Sequence, residues 1–301
     1  MTKERIGFIG VGLMGHGMAK NLVEKGHPLT ILGNRNREPV DDLVKRGAVE
    51  VKTAAEVAKA SDIVFLCVTD SSVVEKVVKG AGGLKEGAHK GMVIVDCSTA
   101  DPNSTIALAA EMAALGVGYA DAPLGGTPAQ AEEGKLSAMI GADEATFARI
   151  KPVCDLWAGA KVVHLGPIGT GHKMKLLNNF LSMGYGAIYA EALTLAKKVG
   201  ISQETFDSVL RGSRMDCGFY QTYFKYVLEG DRNAHQFTLS NAYKDVRYLE
   251  NMAQAVPMAN PVGNAVKNVY AAAVAAGKGS DYVPMISDFI AVQNGVTLKG
   301  K

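Results

Sequence analysis

Gly10, Gly12 and Gly15 stand in the spacing G-x-G-x-x-G inside the segment IGFIGVGLMGHGMAKNL, residues 6–22. A turn of this kind, between an apolar strand and a helix, offers backbone N–H groups to an anion. Gly10 would permit the tight turn, Gly12 would let the backbone approach a pyrophosphate, and Gly15 would let the helix lie close to the strand. Leu13 and Met14 complete the loop that would touch the ligand. The spacing predicts dinucleotide binding, with the phosphates at the helix N-terminus.

A second determinant ends the next apolar run, ILGNRNREP, residues 31–39. An Asp or Glu here would accept hydrogen bonds from a ribose 2′-hydroxyl, whereas arginine accommodates a 2′-phosphate. No acid occurs before Glu38. Asn34, Arg35 and Arg37 are expected at the ribose, and two guanidinium groups suit a phosphate dianion. NADP is the expected cofactor, with NAD left open.

The elements that must position these residues follow from periodicity. Residues 5–9 read as a strand, 14–25 as a helix ended by Gly26, and 28–32 as a second strand. Helical VDDLVKRG and TAAEVAKA come next, then the strands DIVFLCV and GMVIVDCS. Continuous apolar strands alternating with helices predict a parallel sheet covered on both faces. Ligands lie beyond the carboxyl ends of such strands, which places Val68 and Thr69 at the cofactor.

The chain has 301 residues, 48% hydrophobic and 21% charged, with a formal net charge of +2. That length supports two cores, and the mixed charge argues against a nucleic-acid partner. The four cysteines, Cys67, Cys97, Cys154 and Cys217, form no C-x-x-C pair, and the six histidines show no metal-ligand spacing. We expect no metal and a reducing compartment. The start of the chain lacks the pattern of a secretory signal, so a cytoplasmic location is expected. Residues 176–199 are apolar but interrupted by Asn178, Asn179, Glu191, Lys197 and Lys198, which predicts a buried helix rather than a membrane span. Strand-like runs stop near residue 165, giving expected domains of 1–165 and 166–301. The long helix and the stretch VYAAAVAAG offer enough apolar surface to predict a homodimer or homotetramer.

The segments GFIGVGLMG, VDCST, DAPLGGTPAQAEEGKLSAMIG, GPIGTGHKMKLLNN and YKDV occur in the order of the β-hydroxyacid dehydrogenase family, which the chain resembles over nearly its whole length. That family includes 3-hydroxyisobutyrate dehydrogenase, tartronate semialdehyde reductase, succinic semialdehyde/glyoxylate reductases and 3-sulfolactaldehyde reductase. The resemblance implies an α/β fold with an N-terminal Rossmann domain and parallel sheet. A long connecting helix would start near Gly171 and lead to an all-helical C-terminal domain. It further implies NAD(P)-dependent interconversion of a small acidic aldehyde, a semialdehyde, and its hydroxyacid. Lys175 would be the general acid/base, since a positioned ammonium can stabilise and protonate the developing oxyanion. Asn179, four residues on and on the same helical face, would bind substrate or orient the lysine. Ser98 and Thr99 would contact nicotinamide and substrate. Lys244 would close over the cofactor, with Asp245 bracing the local structure, and Phe237 would be either a pocket wall or a core aromatic.

Gly125, Gly126 and Thr127 would hold the anionic end of the substrate through backbone N–H groups and the Thr127 hydroxyl. The commonest family form resembles D-A-P-V-S-G-G, so Gly125 stands where that form has serine. The GGT here is nearer to the sulfolactaldehyde reductase form, which looks like P-V-G-R-T. Yet Gly126 occupies the position of its arginine, and Arg214 is either a replacement cation or a surface loop residue. Carboxylate and sulfonate substrates both stay open. So do imine reduction, against which Lys175 argues, and a nucleotide-binding scaffold without turnover.

Overall fold

Strand β1 (Ile6–Ile9) is buried at every position, as a strand paired on both sides must be. In the computed structural model, which describes residues 3–298, it belongs to a single sheet. The other strands are β2 (Leu29–Leu32), β3 (Val49–Val51), β4 (Ile63–Leu66), β5 (Val93–Asp96), β6 (Gly118–Asp121), β7 (Leu124–Gly125), β8 (Ser137–Gly141) and β9 (Lys161–Gly166). The first six run parallel in the order β3-β2-β1-β4-β5-β6, the arrangement of a Rossmann sheet. β8 then joins β6 and β7 antiparallel and β9 parallel.

Because side chains alternate across a strand, neighbouring residues enter different cores. Phe8, Ile31, Ile63, Phe65 and Val95 share one apolar cluster with Trp157. Ile9, Val64, Leu66 and Ile94 join a second cluster, so both faces are covered as the apolar runs predicted. Phe65 is fully buried, stacked 6.0 Å from Phe8 and edge-on to Trp157 at 6.0 Å. Burying such a ring contributes about 1.5–3 kcal/mol.

The chain divides into two compact units between Lys175 and Leu176. That boundary falls inside the long helix Thr170–Lys198 rather than ahead of it, because the first turn of the helix is bonded to the sheet. The second unit is built from helices around an aromatic core that includes Tyr189, Tyr220, Tyr223, Phe224 and Tyr270. Tyr270 donates its hydroxyl to Met183 O at 3.0 Å, and a Cβ at Gly186 would lie 2.7 Å from that hydroxyl. Phe237 packs against this core. Among the described residues no helix is long and apolar enough to cross a membrane.

Candidate active site

The glycine turn follows β1 and leads into the helix Gly15–Glu24. Gly10 has φ +100°, and a Cβ there would lie 2.2 Å from Cys67 O at the end of β4. A Cβ on Gly15 would meet Gly10 O at 2.0 Å, so the helix cannot stand so close with any larger residue. Gly12 is the opposite case, with no atom within 4 Å of the place a Cβ would take. The helix carries no side-chain cap and no acid in its first turn. The dipole at this N-terminus favours an anion such as a pyrophosphate, while the first-turn His16 side chain meets Glu132 Oε1 at 2.6 Å and Asp42 Oδ2 at 3.0 Å. Leu13, 70% exposed, and half-buried Met14 border the same space.

Beyond β2, Asn34, Arg35 and Arg37 are all exposed. Asn34 accepts the Arg35 N–H through Oδ1 at 2.8 Å, which shapes the loop. The two arginines differ in what surrounds them. Arg37 donates to Glu50 Oε1 and Oε2 at 2.6 and 2.8 Å and to Asp41 at 3.0 Å. These bonds hold the guanidinium charged and depress the Glu50 carboxyl, chiefly through the hydrogen bond from Arg37. Arg37 is thus spent on carboxylates, whereas Arg35 makes no ion pair among the described residues.

The ends of β4 and β5 are tied together. Val68 N–H donates to Ser98 Oγ at 3.0 Å, and Val68 Cγ1 lies 3.1 Å from where a Cβ on Gly10 would stand. Thr69 is exposed and Thr99 half-buried at the same carboxyl edge. Ser98 N–H donates to Asp96 Oδ1 at 2.9 Å, while Asp96 Oδ2 is buried without a partner among the described residues. Burial pushes the Asp96 carboxyl up, against the pull of His172 and the Ser98 hydrogen bonds.

Two residues that the motif spacing did not single out, Asp121 and His172, organise this edge together with Gly171, which was expected at a close-packed entry to the helix. Asp121, at the end of β6, is fully buried and accepts Gly169 N–H at 2.7 Å and His172 N–H at 2.6 Å. It caps the long helix from outside that helix, satisfying donors that helix termini leave open. The His172 ring is also fully buried, with Nε2 3.0 Å from Ser98 O and Nδ1 2.8 Å from Thr105 Oγ1. Gly171 makes the approach possible, because a Cβ there would lie 2.3 Å from Met139 O. Asp121 and His172 sit inside the motifs DAPLGGT and GTGHKMK, but nothing in a linear pattern says that they meet. Lys175 follows His172 within one helical turn and is half-buried.

The Gly125–Thr127 loop departs from expectation at Thr127. Thr127 caps the short helix Pro128–Glu132: its Oγ1 accepts Gln130 N–H at 3.3 Å, and its own N–H donates to Gln130 Oε1 at 2.9 Å. The polar groups expected to face substrate are engaged in this capping box. Gly125 pairs with Ser137 across β7 and β8, and a Cβ on it would lie 2.5 Å from Ser137 Oγ. The hydroxyl of the adjacent strand occupies the room a serine at 125 would need. Gly126 has φ +129°, and a Cβ there would lie 2.7 Å from Leu136 Cδ2. This backbone excludes an arginine at 126 without rearrangement.

In the second unit, Asn179 donates to Asp245 Oδ2 at 2.6 Å, and both are buried. Lys244 places Nζ 3.2 Å from Asp245 Oδ1 and 5.5 Å from the Tyr248 ring centroid. Arg214 is exposed and forms no ion pair among the described residues. No group of three or more His, Cys, Asp or Glu suited to a metal ion occurs among the described residues.

Residues 5–166 match the family described as the NAD binding domain of 6-phosphogluconate dehydrogenase. Residues 169–287 match the one described as NAD-binding of NADP-dependent 3-hydroxyisobutyrate dehydrogenase. The chain belongs to the β-hydroxyacid dehydrogenase family. As a member it is an NAD(P)-dependent oxidoreductase, joining a Rossmann domain to a helical C-terminal region. It is 32% identical to 3-sulfolactaldehyde reductase of Escherichia coli (strain K12), over 98% of this chain and 99% of that one. It is also 32% identical to 2-(hydroxymethyl)glutarate dehydrogenase of Eubacterium barkeri, over 98% of each chain. The solved structure of Mycobacterium tuberculosis 3-hydroxyisobutyrate dehydrogenase shares the fold, with a TM-score of 0.85, 24% identity, and coverage of 96% and 99%.

Proposed function

We propose that this dehydrogenase reduces a small aldehyde bearing a carboxylate to its hydroxyacid, with Lys175 as the general acid and NADPH preferred over NADH. One observation carries the reading. Asp121 and His172 fasten the first turn of the helix Thr170–Lys198 to the ends of β6 and β5, and Lys175 follows within a turn. The reduced nicotinamide, when bound, supplies a hydride to the carbonyl carbon. The Lys175 ammonium stabilises the charge that builds on the carbonyl oxygen and donates the proton; in reverse, the neutral amine accepts it. Asn179, held by Asp245, presents its side chain from the same helical face.

Gly10, Gly12, Leu13, Met14 and Gly15 would cradle the pyrophosphate, with Asn34 and Arg35 at the 2′-phosphate. Val68, Thr69, Thr99 and Lys244 would line the rest of the cofactor. Ser98, Thr99 and the N–H groups of Gly125 and Gly126 would face substrate, and Thr127 would hold that loop in shape. The Gly126 backbone supports a carboxylate over a sulfonate, because it leaves no place for an arginine fork. The name of the Eubacterium barkeri relative, a carboxylated hydroxymethyl compound, points the same way.

The proposal includes a homodimer or homotetramer in the cytoplasm. Leu177, Leu181, Tyr185, Ile188 and Leu195 are exposed along the long helix, an apolar stripe that a second copy would cover. The four cysteines are free, as a reducing compartment would keep them.

The test follows absorbance loss from NADPH and NADH against glyoxylate, succinic semialdehyde, methylmalonate semialdehyde and sulfolactaldehyde, with Lys175→Ala in parallel. We expect NADPH-linked turnover of a carboxylated aldehyde, reduced about 10²–10⁴-fold in the variant. Turnover confined to sulfolactaldehyde would overturn the substrate class, and an active Lys175→Ala would overturn the role of the lysine.

A further inference from the structure

His172 is a fully buried side chain for which the proposed reaction has no direct use, yet both ring nitrogens and its N–H have partners. Its N–H donates to Asp121, its Nε2 faces the carbonyl of Ser98, and its Nδ1 faces the hydroxyl of Thr105. A carbonyl can only accept, so Nε2 carries the proton. Nδ1 lies within hydrogen-bond reach of Thr105 Oγ1, which itself donates to Asp101 O at 3.2 Å. The ring is thus oriented at both ends, with no rotation that preserves the two bonds.

We infer that His172 is a positioning residue for Lys175: its Nε2–H bond to Ser98 O sets the distance between the β5 loop and the helical turn that carries the lysine. The inference rests on the reading of Lys175 and Ser98 given above. Helical geometry supports it, since residues 172, 175 and 179 follow each other at i, i+3 and i+7 and share one face. The lysine lies on that face between the His172 anchor and the Asn179 anchor, each fixed by a buried hydrogen bond. A displacement of about 1 Å at such a group costs on the order of 10²-fold in rate. Asp121 ties the backbone of the turn to β6 through its two oxygens but makes no bond to the β5 side. The bond to Ser98 supplies the second point of attachment.

The experiment separates the two ring nitrogens. In His172→Gln the side-chain amide can reach the place of Nε2 and keep the bond to Ser98 O. In His172→Asn it reaches only the place of Nδ1, and His172→Leu keeps neither. Each variant is assayed for kcat, KM and NADPH affinity, with Lys175→Ala alongside. On the cofactor-free protein, the acylation rate of Lys175 is read by mass spectrometry relative to its exposed neighbour Lys173. We expect Leu and Asn to lower kcat by about ten- to a hundredfold with cofactor affinity kept, and Gln to recover most of the loss. The Lys175-to-Lys173 labelling ratio should change severalfold in Leu and Asn and return in Gln. Equal behaviour of Gln and Asn in that ratio, or a wild-type ratio in Leu, overturns the inference. Thr105→Val, which removes the Nδ1 partner and the bond to Asp101 O but spares the bond to Ser98 O, should leave the ratio near wild type even if the His172 variants fold poorly, and a ratio as altered as in Leu would overturn the role of the Ser98 bond. An active Lys175→Ala would sink the functional reading instead, while the labelling ratio would still decide the role of His172.

Discussion

Glu50 grips the guanidinium of Arg37 with both carboxylate oxygens, at 2.6 and 2.8 Å, so the two arginines of the β2 loop are not equivalent. An arginine already bridged to two acids offers little net charge to a phosphate, whereas Arg35 has no such partner among the described residues. Arg35→Ala should therefore weaken NADPH by about 1.5–3 kcal/mol, the range for a charge-assisted hydrogen bond, and leave NADH nearly unchanged. Arg37→Ala should alter the two affinities by similar, smaller amounts. Fluorescence titration of both cofactors decides it, and a larger NADPH loss in Arg37→Ala would reverse the assignment.

Asn179 and Asp245 form a buried amide–carboxyl pair, at 2.6 Å. Removing Asp245 leaves the buried Asn179 amide without this acceptor, whereas removing Asn179 leaves the Asp245 carboxyl with Lys244 still 3.2 Å from Oδ1. In a double-mutant cycle of Asn179→Ala and Asp245→Ala, urea unfolding should reveal a coupling of about 1–3 kcal/mol. Both single variants should also lose kcat/KM. Additive losses of stability would mean that the contact contributes nothing in solution.

The Gly126 backbone bears on substrate choice. With φ +129° and Leu136 beside it, an arginine there would carry strain of about 1–3 kcal/mol. Gly126→Arg should therefore melt at a lower temperature and gain no turnover of sulfolactaldehyde. If the variant is as stable as the wild type and turns over that aldehyde, the loop is more plastic than its geometry implies, and the carboxylate argument falls.

Much of the sheet was legible because it rests on local signals. Continuous apolar strands such as Ile63–Leu66 announce a parallel sheet, and the spacing of Gly10, Gly12 and Gly15 marks the turn. What stayed hidden depends on partners far apart in the chain. Glu50 lies thirteen residues beyond Arg37, and nothing in NRNRE says that it folds back as a clamp. Thr127 looks like a free hydroxyl until Gln130 is seen to complete its cap, although the T-x-x-Q spacing carried that signal. The meeting of Ser98, Thr105, Asp121 and His172 is set by the order of β5 and β6 in the sheet, which no short motif records.

Asp96 gives a pH dependence with a definite sign. Burial raises its carboxyl above the ordinary range, and Oδ2 has no partner among the described residues to offset the loss of hydration. The folded protein therefore holds a proton at pH values where the unfolded chain, with an Asp near pKa 3.9, has released it. Stability from this group is complete below the unfolded value and falls as pH rises toward the folded one, by about 1.4 kcal/mol for each unit between the two. Asp96→Asn keeps the neutral shape and the acceptor for Ser98 N–H but cannot ionise. Its melting temperature should thus gain on the wild type as the buffer is moved from about pH 4 to about pH 8. Thermal melts across that range check the prediction, and a constant gap between the two proteins would show that Asp96 ionises in the fold as readily as in the unfolded chain.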